Sequence, residues 1–417
     1  MRYLVLAFLC AFTVIAYLQR LALSAPTQII EGELGLGPAG MGTIMGVWYW
    51  TYALSQLPAG WITDRLGSKS ALVLFAVAWS LVTAIAGFST GFLGLFLLWG
   101  LMGCAQAGLF PCATKAIGAT FPKNEQAFAS GLLAASMGLG AAVAQWLTAQ
   151  LLGPLAWQEI LVLYAAPGLL WAAAFAYVVP RPEPAAKPKA ADRVSEPHAD
   201  RIRWLKLATD PQMQLLCAQQ FLRASAIAFL YTWLPRFLTA TRGITEQEAG
   251  ELAFLPPLVG MCGGFLGGLG SEFILRQTGS SRLARQGMSV AAMLVSTSTA
   301  LAAFFVADPD VAVILICTAA FCGMGAGVTG YALAISYGGK RVAIVFATMN
   351  MSGNVGAGLF PFVVGFLVKA TGNWNHALLV FAGLFASSGL CCAFLNPKGT
   401  LFNDSLEPKE PTDDDAR

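Results

Sequence analysis

Gly60-Trp61-Ile62-Thr63-Asp64-Arg65-Leu66-Gly67-Ser68-Lys69 packs both charge signs into a short stretch between two long apolar runs. Such a stretch reads as a tight charged turn between two membrane spans. A weaker copy follows in the second half of the chain, at Gly268, Glu272 and Arg276, where Gly268 to Glu272 repeats the spacing of Gly60 to Asp64. One charged turn per half implies two related bundles.

Composition supports the same reading. Hydrophobic residues make up 57% of the 417 and charged residues only 11%, against about 25% charged in soluble domains. A helical span needs about 20 apolar residues. Twelve runs meet that need, at 3–25, 39–62, 70–88, 92–119, 126–150, 160–179, 213–239, 249–270, 286–305, 311–335, 342–369 and 376–396. They are too long for barrel strands, which need about ten residues. The fold class is an all-α polytopic membrane protein with twelve transmembrane helices in two pseudo-symmetric six-helix bundles. The expected division is an N-terminal bundle over 1–180, a cytoplasmic linker over 181–210, a C-terminal bundle over 211–396 and a disordered polar tail over 397–417. The stretch 180–210 is marked by five prolines, at 180, 182, 184, 188 and 197, and seven Lys/Arg.

Lys and Arg outside the spans gather in loops 63–69, 120–126, 180–210, 276–285 and 338–341. Alternate loops carry Glu31, Glu33, Glu246, Glu248, Asp308 and Asp310. Basic loops stay in the cytoplasm, so both termini are expected there. The net charge of +3 follows from this topology, and no aromatic-interleaved basic patch points to nucleic acid. Residues 1–25 resemble a signal peptide, but Arg20 and Pro26 flank the would-be cleavage site unfavourably, so the run reads as span one. All nine cysteines fall inside spans, and no pair has metal-ligand spacing with a histidine. No nucleophile–base pair or phosphate-cradling loop points to an enzyme, and no cofactor or metal is expected.

Charge inside a span is costly and marks function. Lys115 sits near the end of span four, where it can snorkel. Arg20 lies in the outer half of span one and Arg223 near the middle of span seven. No Asp or Glu lies in the interior of any span, so neither arginine has an internal counter-ion. A guanidinium facing a central cavity without a carboxylate is suited to bind an anion. Asn350 and Asn354 share a helix face in span eleven; together with Gln19 and Gln106 they either line a polar path or join helices. Tyr52 either faces the pore or packs. Spans five and eleven share small residues, Ser130, Gly131, Ser136 and Gly138 against Ser352, Gly353, Gly356 and Gly358, which allow close helix contact.

The charged turn resembles the signature loop between spans two and three of the major facilitator superfamily. Several places are similar to its anion:cation symporter branch: Tyr17-Leu18-Gln19-Arg20 with Leu23-Ser24, Gln106-Ala107 with Phe110-Pro111, Phe121-Pro122 with Glu125, and Trp233-Leu234-Pro235 with Pro256. Arg223 stands where the vesicular glutamate transporters of that branch carry an arginine. The resemblance implies a central site opened alternately to each side. It implies that Arg20 meets a substrate carboxylate or supports coupling, that Tyr17 and Tyr52 line a sugar-acid site, and that Asn350 or Asn354 joins them. Three departures stand out. The branch's acid in span one is Gln19 here, its proton-binding Glu in span four is Gln106, and an arginine seven residues earlier is Trp99. The usual proton-coupling groups are therefore missing.

The expected function is a secondary active or facilitative transporter of a small organic anion, a carboxylate such as a sugar acid. Arg20, Arg223, Tyr17, Tyr52, Asn350, Asn354, Gln19 and Gln106 are the candidate binding residues, with Trp48 and Trp233 as further walls. Asp64, Arg65 and Glu272 are the candidate gate on the cytoplasmic face. The expected setting is a bacterial inner membrane, as a monomer in the lipid bilayer. The alternatives are an exporter of amphipathic compounds and a non-transporting sensor on the same fold.

Overall fold

A computed structural model describes residues 2–122, 125–180, 209–338 and 342–397. Most of the expected linker and tail lie outside the described residues. What is described is almost wholly helical. Among the described residues ten helical stretches are long and apolar enough to cross a membrane. Two further long stretches, the first half of α3 (Pro38–Ala86) and α8 (Pro211–Thr232), complete the twelve spans. These two are the less apolar ones because they carry Trp48, Tyr49, Tyr52 and Gln56, and Gln219, Gln220 and Arg223.

The charged turn is more compact than expected. The backbone stays helical through Asp64 and Arg65 to Leu66, and the break falls on Gly67 alone, at φ 77° and ψ 156°. That left-handed φ suits glycine, which has no Cβ to clash. The second-half copy is not a turn: Gly268, Glu272 and Arg276 all lie within the helix Leu255–Thr278, and the chain turns only at Gly279. The repeat of spacing therefore does not reproduce a repeat of backbone shape.

The other spans are punctuated rather than uniform. Span one, α1, ends at Arg20 and is followed by the short helix α2 (Thr27–Glu33). Span four is interrupted between α4 (Phe92–Gln106) and α5 (Leu109–Thr120), and span seven between α8 and α9 (Leu234–Arg242). The start of α8 is fixed by Pro211 and by Asp210, whose Oδ1 accepts from the backbone N–H of Gln212 at 2.8 Å and of Met213 at 3.1 Å.

α1, α3, α4, α5, α6 (Gln126–Leu151) and α7 (Trp157–Val178) pack on one another, as do the helices from α8 onward. Aromatic layers fill each group: Phe12 lies 4.6 Å from Trp79 and 4.5 Å from Trp171, and Phe229 lies 5.0 Å from Phe381, centroid to centroid. Leu81, Leu97, Leu101, Leu170, Leu294 and Ile314 are exposed, as a lipid-facing surface requires.

The two groups meet along the half of the molecule away from the N-terminus, called here the far half. Span two lies against α14 (Val342–Thr371) so closely that a Cβ on Gly46 would sit 2.6 Å from the Gly358 carbonyl oxygen. Ser24 Oγ donates across the groups to Thr232 O at 3.0 Å and Gln150 Nε2 to Glu251 Oε1, while within the second group Trp233 Nε1 donates to Pro361 O at 3.1 Å, beside Gly42 of span two. Toward the termini the same span-two helix turns Leu54, Leu57 and Trp61 outward as exposed residues. The contacts named between the groups thus gather at the far face.

Candidate functional site

Helical spacing places Tyr17 and Arg20 on one face of the last turn of α1. The Arg20 guanidinium carbon lies 3.6 Å from the Trp48 ring centroid, 4.5 Å from Tyr49 and 5.0 Å from Tyr17. Ring faces attract the cation by about 2 kcal/mol when desolvated, so they hold its charge without neutralising it. Arg20 Nε is buried with no hydrogen-bond partner. Trp48 is backed by Tyr52, stacked on it at 4.8 Å and 17°. Tyr52 is buried and lies within electrostatic reach of Arg20. Arg20, Ser24, Trp48, Tyr49, Trp99 and Tyr231 are among the residues lining a narrow cavity.

Arg223 on α8 is only 5% exposed, and its side chain makes its contacts within the second group. Its Nη2 and Nε donate to Gln220 Oε1 at 2.9 and 3.3 Å, and its Nη1 approaches the Met324 sulfur at 3.9 Å. Gly327 lets the guanidinium in: a Cβ there would lie 2.6 Å from Nη1. Among the described residues neither Arg20 nor Arg223 forms an ion pair with a carboxylate. Between them stands Tyr231, two helical turns after Arg223. It packs edge-on to Tyr17 at 6.4 Å and lies within electrostatic reach of both guanidiniums.

The remaining candidates are placed differently. Gln19 Nε2 donates to Tyr164 O at 2.6 Å and Ser80 Oγ at 3.3 Å, and Gln106 Nε2 to Ala16 O at 3.0 Å. Both amides are buried inside the first group and tie its helices together. Of the two expectations for them, lining a path or joining helices, these contacts fit the second: each donates to a backbone carbonyl of a neighbouring helix. Trp233 is fully buried in the far-side seam and edge-on to Trp374 at 5.1 Å, so it does not wall the central cavity. Asn350 and Asn354 are half-buried on α14, where the Asn354 amide donates to Asn350 O at 3.0 Å. Gly353 of the same stretch packs on Gln220, which brings this helix to the Arg223 region.

On the termini face Asp64, Arg65 and Glu272 are each engaged within their own group. Lys115 Nζ meets Asp64 Oδ1 at 2.8 Å, Arg65 lies over the Trp61 ring at 3.7 Å, and Glu272 pairs with Arg276 at 3.0 Å. Lys115 thus has a carboxylate partner rather than simply snorkelling. Sequence reasoning passed over Tyr49, Gln220 and Tyr231. Gln220 and Tyr231 carry the signal of helical spacing from Arg223; Tyr49 carries none.

The family model described as Major Facilitator Superfamily matches residues 4–337. A probable sulfoacetate transporter of Cupriavidus necator is 27% identical, over 98% of this chain and 96% of the relative. A probable galactarate/D-glucarate transporter of Bacillus subtilis is 29% identical, over 93% and 90%. A D-galactonate transporter of Escherichia coli O6:H1 is 28% identical, over 89% and 90%. Among solved structures, a bacterial homologue of the human lysosomal transporter Spinster, in an inward-facing conformation, superposes with a TM-score of 0.74 at 19% identity, covering 94% of each chain. With the family model spanning most of its spans and the helical architecture to match, the chain belongs to the Major Facilitator Superfamily, as a multi-pass membrane transporter.

Proposed function

We propose that this protein carries a small organic anion, a carboxylate of the sugar-acid type, across a bacterial inner membrane by alternating access. The observation that carries the reading is a pair of arginines, Arg20 and Arg223, one in each helix group, with no carboxylate on either. A site with two unneutralised cations favours anions and rejects cationic drugs. The relatives named above are transporters of sulfoacetate, galactarate or glucarate, and galactonate, all organic anions. Arg20, Arg223, Tyr17 and Tyr231 bind the anion; Tyr52 fixes Trp48 and through it Arg20, with Asn350 and Asn354 at the edge of the site.

Residues 1–180 and 211–396 act as the two bodies that rock about the site. The basic loops put both termini in the cytoplasm, so the arrangement described is inward-facing. Asp64, Arg65 and Glu272 exchange their present partners for contacts across the groups when the cytoplasmic side closes. Transport is facilitated diffusion or exchange, because Gln19 and Gln106 cannot titrate. The protein works as a monomer. Titrating purified protein with a panel of sugar acids, short dicarboxylates and sulfonates, read by thermal stabilisation, tests the substrate class. Stabilisation by at least one of these anions and by no organic cation is expected; stabilisation by cations alone overturns the reading.

A further inference from the structure

Helix α2 carries two carboxylates on the far face with opposite surroundings. Glu33 Oε2 accepts from Trp157 Nε1 at 2.7 Å and from Gln158 Nε2 at 3.0 Å, both within the first helix group. Glu31 is 8% exposed, and its Oε1 is buried with no hydrogen-bond partner. Its Oε2 has one contact across the seam, to Arg236 Nε at 3.3 Å. Arg236 does not offer a second N–H to it: Nη1 goes to Gln28 Oε1 at 3.0 Å, and the guanidinium lies 5.3 Å from the Trp374 ring. An ionised carboxylate takes several donors, and a buried one with a single long contact is poorly served.

We propose that Glu31 is a proton-binding site in the seam between the two groups, filled when the far face closes and emptied when it opens. The proposal rests on the alternating-access reading above. The seam must part at Glu31–Arg236 for the far face to open, which returns Glu31 to water. Closure then strips solvent from the carboxyl and supplies one weak cationic contact in exchange. Burial pushes the Glu31 carboxyl up from its usual value near 4.5 to about 7, although Arg236 pulls it down.

The sign follows. The closed form holds the proton more tightly than the open form, so acid outside favours far-side closure and alkali favours opening. A latch made by a dominant ion pair has the opposite sign, because protonation would break it. Among the described residues Arg236 is the charged group facing Glu31. Glu246 lies within electrostatic reach of Arg236. Glu33 is turned to Trp157 and Gln158. His376, two residues beyond Trp374, has Nδ1 3.1 Å from Thr371 Oγ1.

The test is accessibility of the far-side seam. Thr232, whose carbonyl accepts from Ser24, is replaced by Cys as a reporter in otherwise full-length protein. It is then labelled with a membrane-impermeant thiol reagent from pH 5.5 to 8.5. The parent protein without the reporter is subtracted, and Glu31→Gln carrying the same reporter cancels the intrinsic pH dependence of thiols. Relative to Glu31→Gln, labelling is expected to rise about thirtyfold across this range, from linkage between the two carboxyl values. Arg236→Gln moves the midpoint to more alkaline pH, and His376→Asn leaves it in place. Labelling that falls with rising pH, or a ratio to Glu31→Gln that stays flat, overturns the proton site alone. A reporter unlabelled at every pH in both backgrounds overturns it together with alternating access.

Discussion

Replacing Arg223 with Gln separates a binding role from a structural one. The guanidinium is buried and its hydrogen-bond partner, Gln220, is neutral. Losing one partner of a buried, hydrogen-bonded charge pair costs about 2–5 kcal/mol. Taking about 3 kcal/mol, the anion binds about 150-fold more weakly. Stability of the empty protein moves the other way. Removing a buried charge that lacks a counter-ion relieves desolvation, offset by roughly 1 kcal/mol for the acceptor vacated on Gln220. Arg223→Gln is therefore expected to melt at or above the wild-type temperature without ligand and to lose stabilisation by the anion. Arg223→Lys keeps the charge but cannot reproduce the two-donor fork on Gln220, and falls between, at about tenfold weaker binding. Thermal melting of purified protein against anion concentration reads both quantities together. An anion affinity within threefold of wild type in a folded Arg223→Gln protein would refute the role given to Arg223; a large fall in ligand-free stability would instead make it a structural residue.

Three further outcomes follow from the same geometry. Trp48→Ala removes the ring nearest Arg20 and the stacking partner of Tyr52; anion affinity is expected to drop about tenfold or more, read by the same titration. In Gln106→Glu, the side chain can donate to Ala16 O only while it carries a proton, so thermal stability falls more steeply than that of wild type as pH rises from 5 to 8. Gly46→Val drives a side chain into the Gly358 carbonyl. Overpacking costs about 1–3 kcal/mol, which shifts the equilibrium toward far-side opening by about fivefold or more, measured as thiol labelling of a Thr232→Cys reporter.

The helical membrane architecture was legible because bilayer crossing writes itself as long apolar runs, and even the two least apolar spans had enough of them. The carboxylate-free arginines were legible for the same reason: a charge in such a run is conspicuous. What the chain did not disclose is direction. Gln19 and Gln106 look like any polar residue in a span, and only packing shows that they turn to backbone carbonyls within one group. The Gly268–Glu272 echo kept its spacing but not its backbone, because a turn needs the left-handed residue at the right place, here Gly279. Glu31 read as one more acid in an outer loop; its partner, Arg236, lies more than two hundred residues away, a pairing no local pattern records.

The most direct test of the account is counterflow in proteoliposomes without any ion gradient. Vesicles are loaded with one sugar acid, dicarboxylate or sulfonate at a time, and uptake of the same labelled anion is followed. The account predicts exchange of at least one of these anions by wild type and its loss in Arg223→Gln. No exchange of any of them by folded wild-type protein would contradict it.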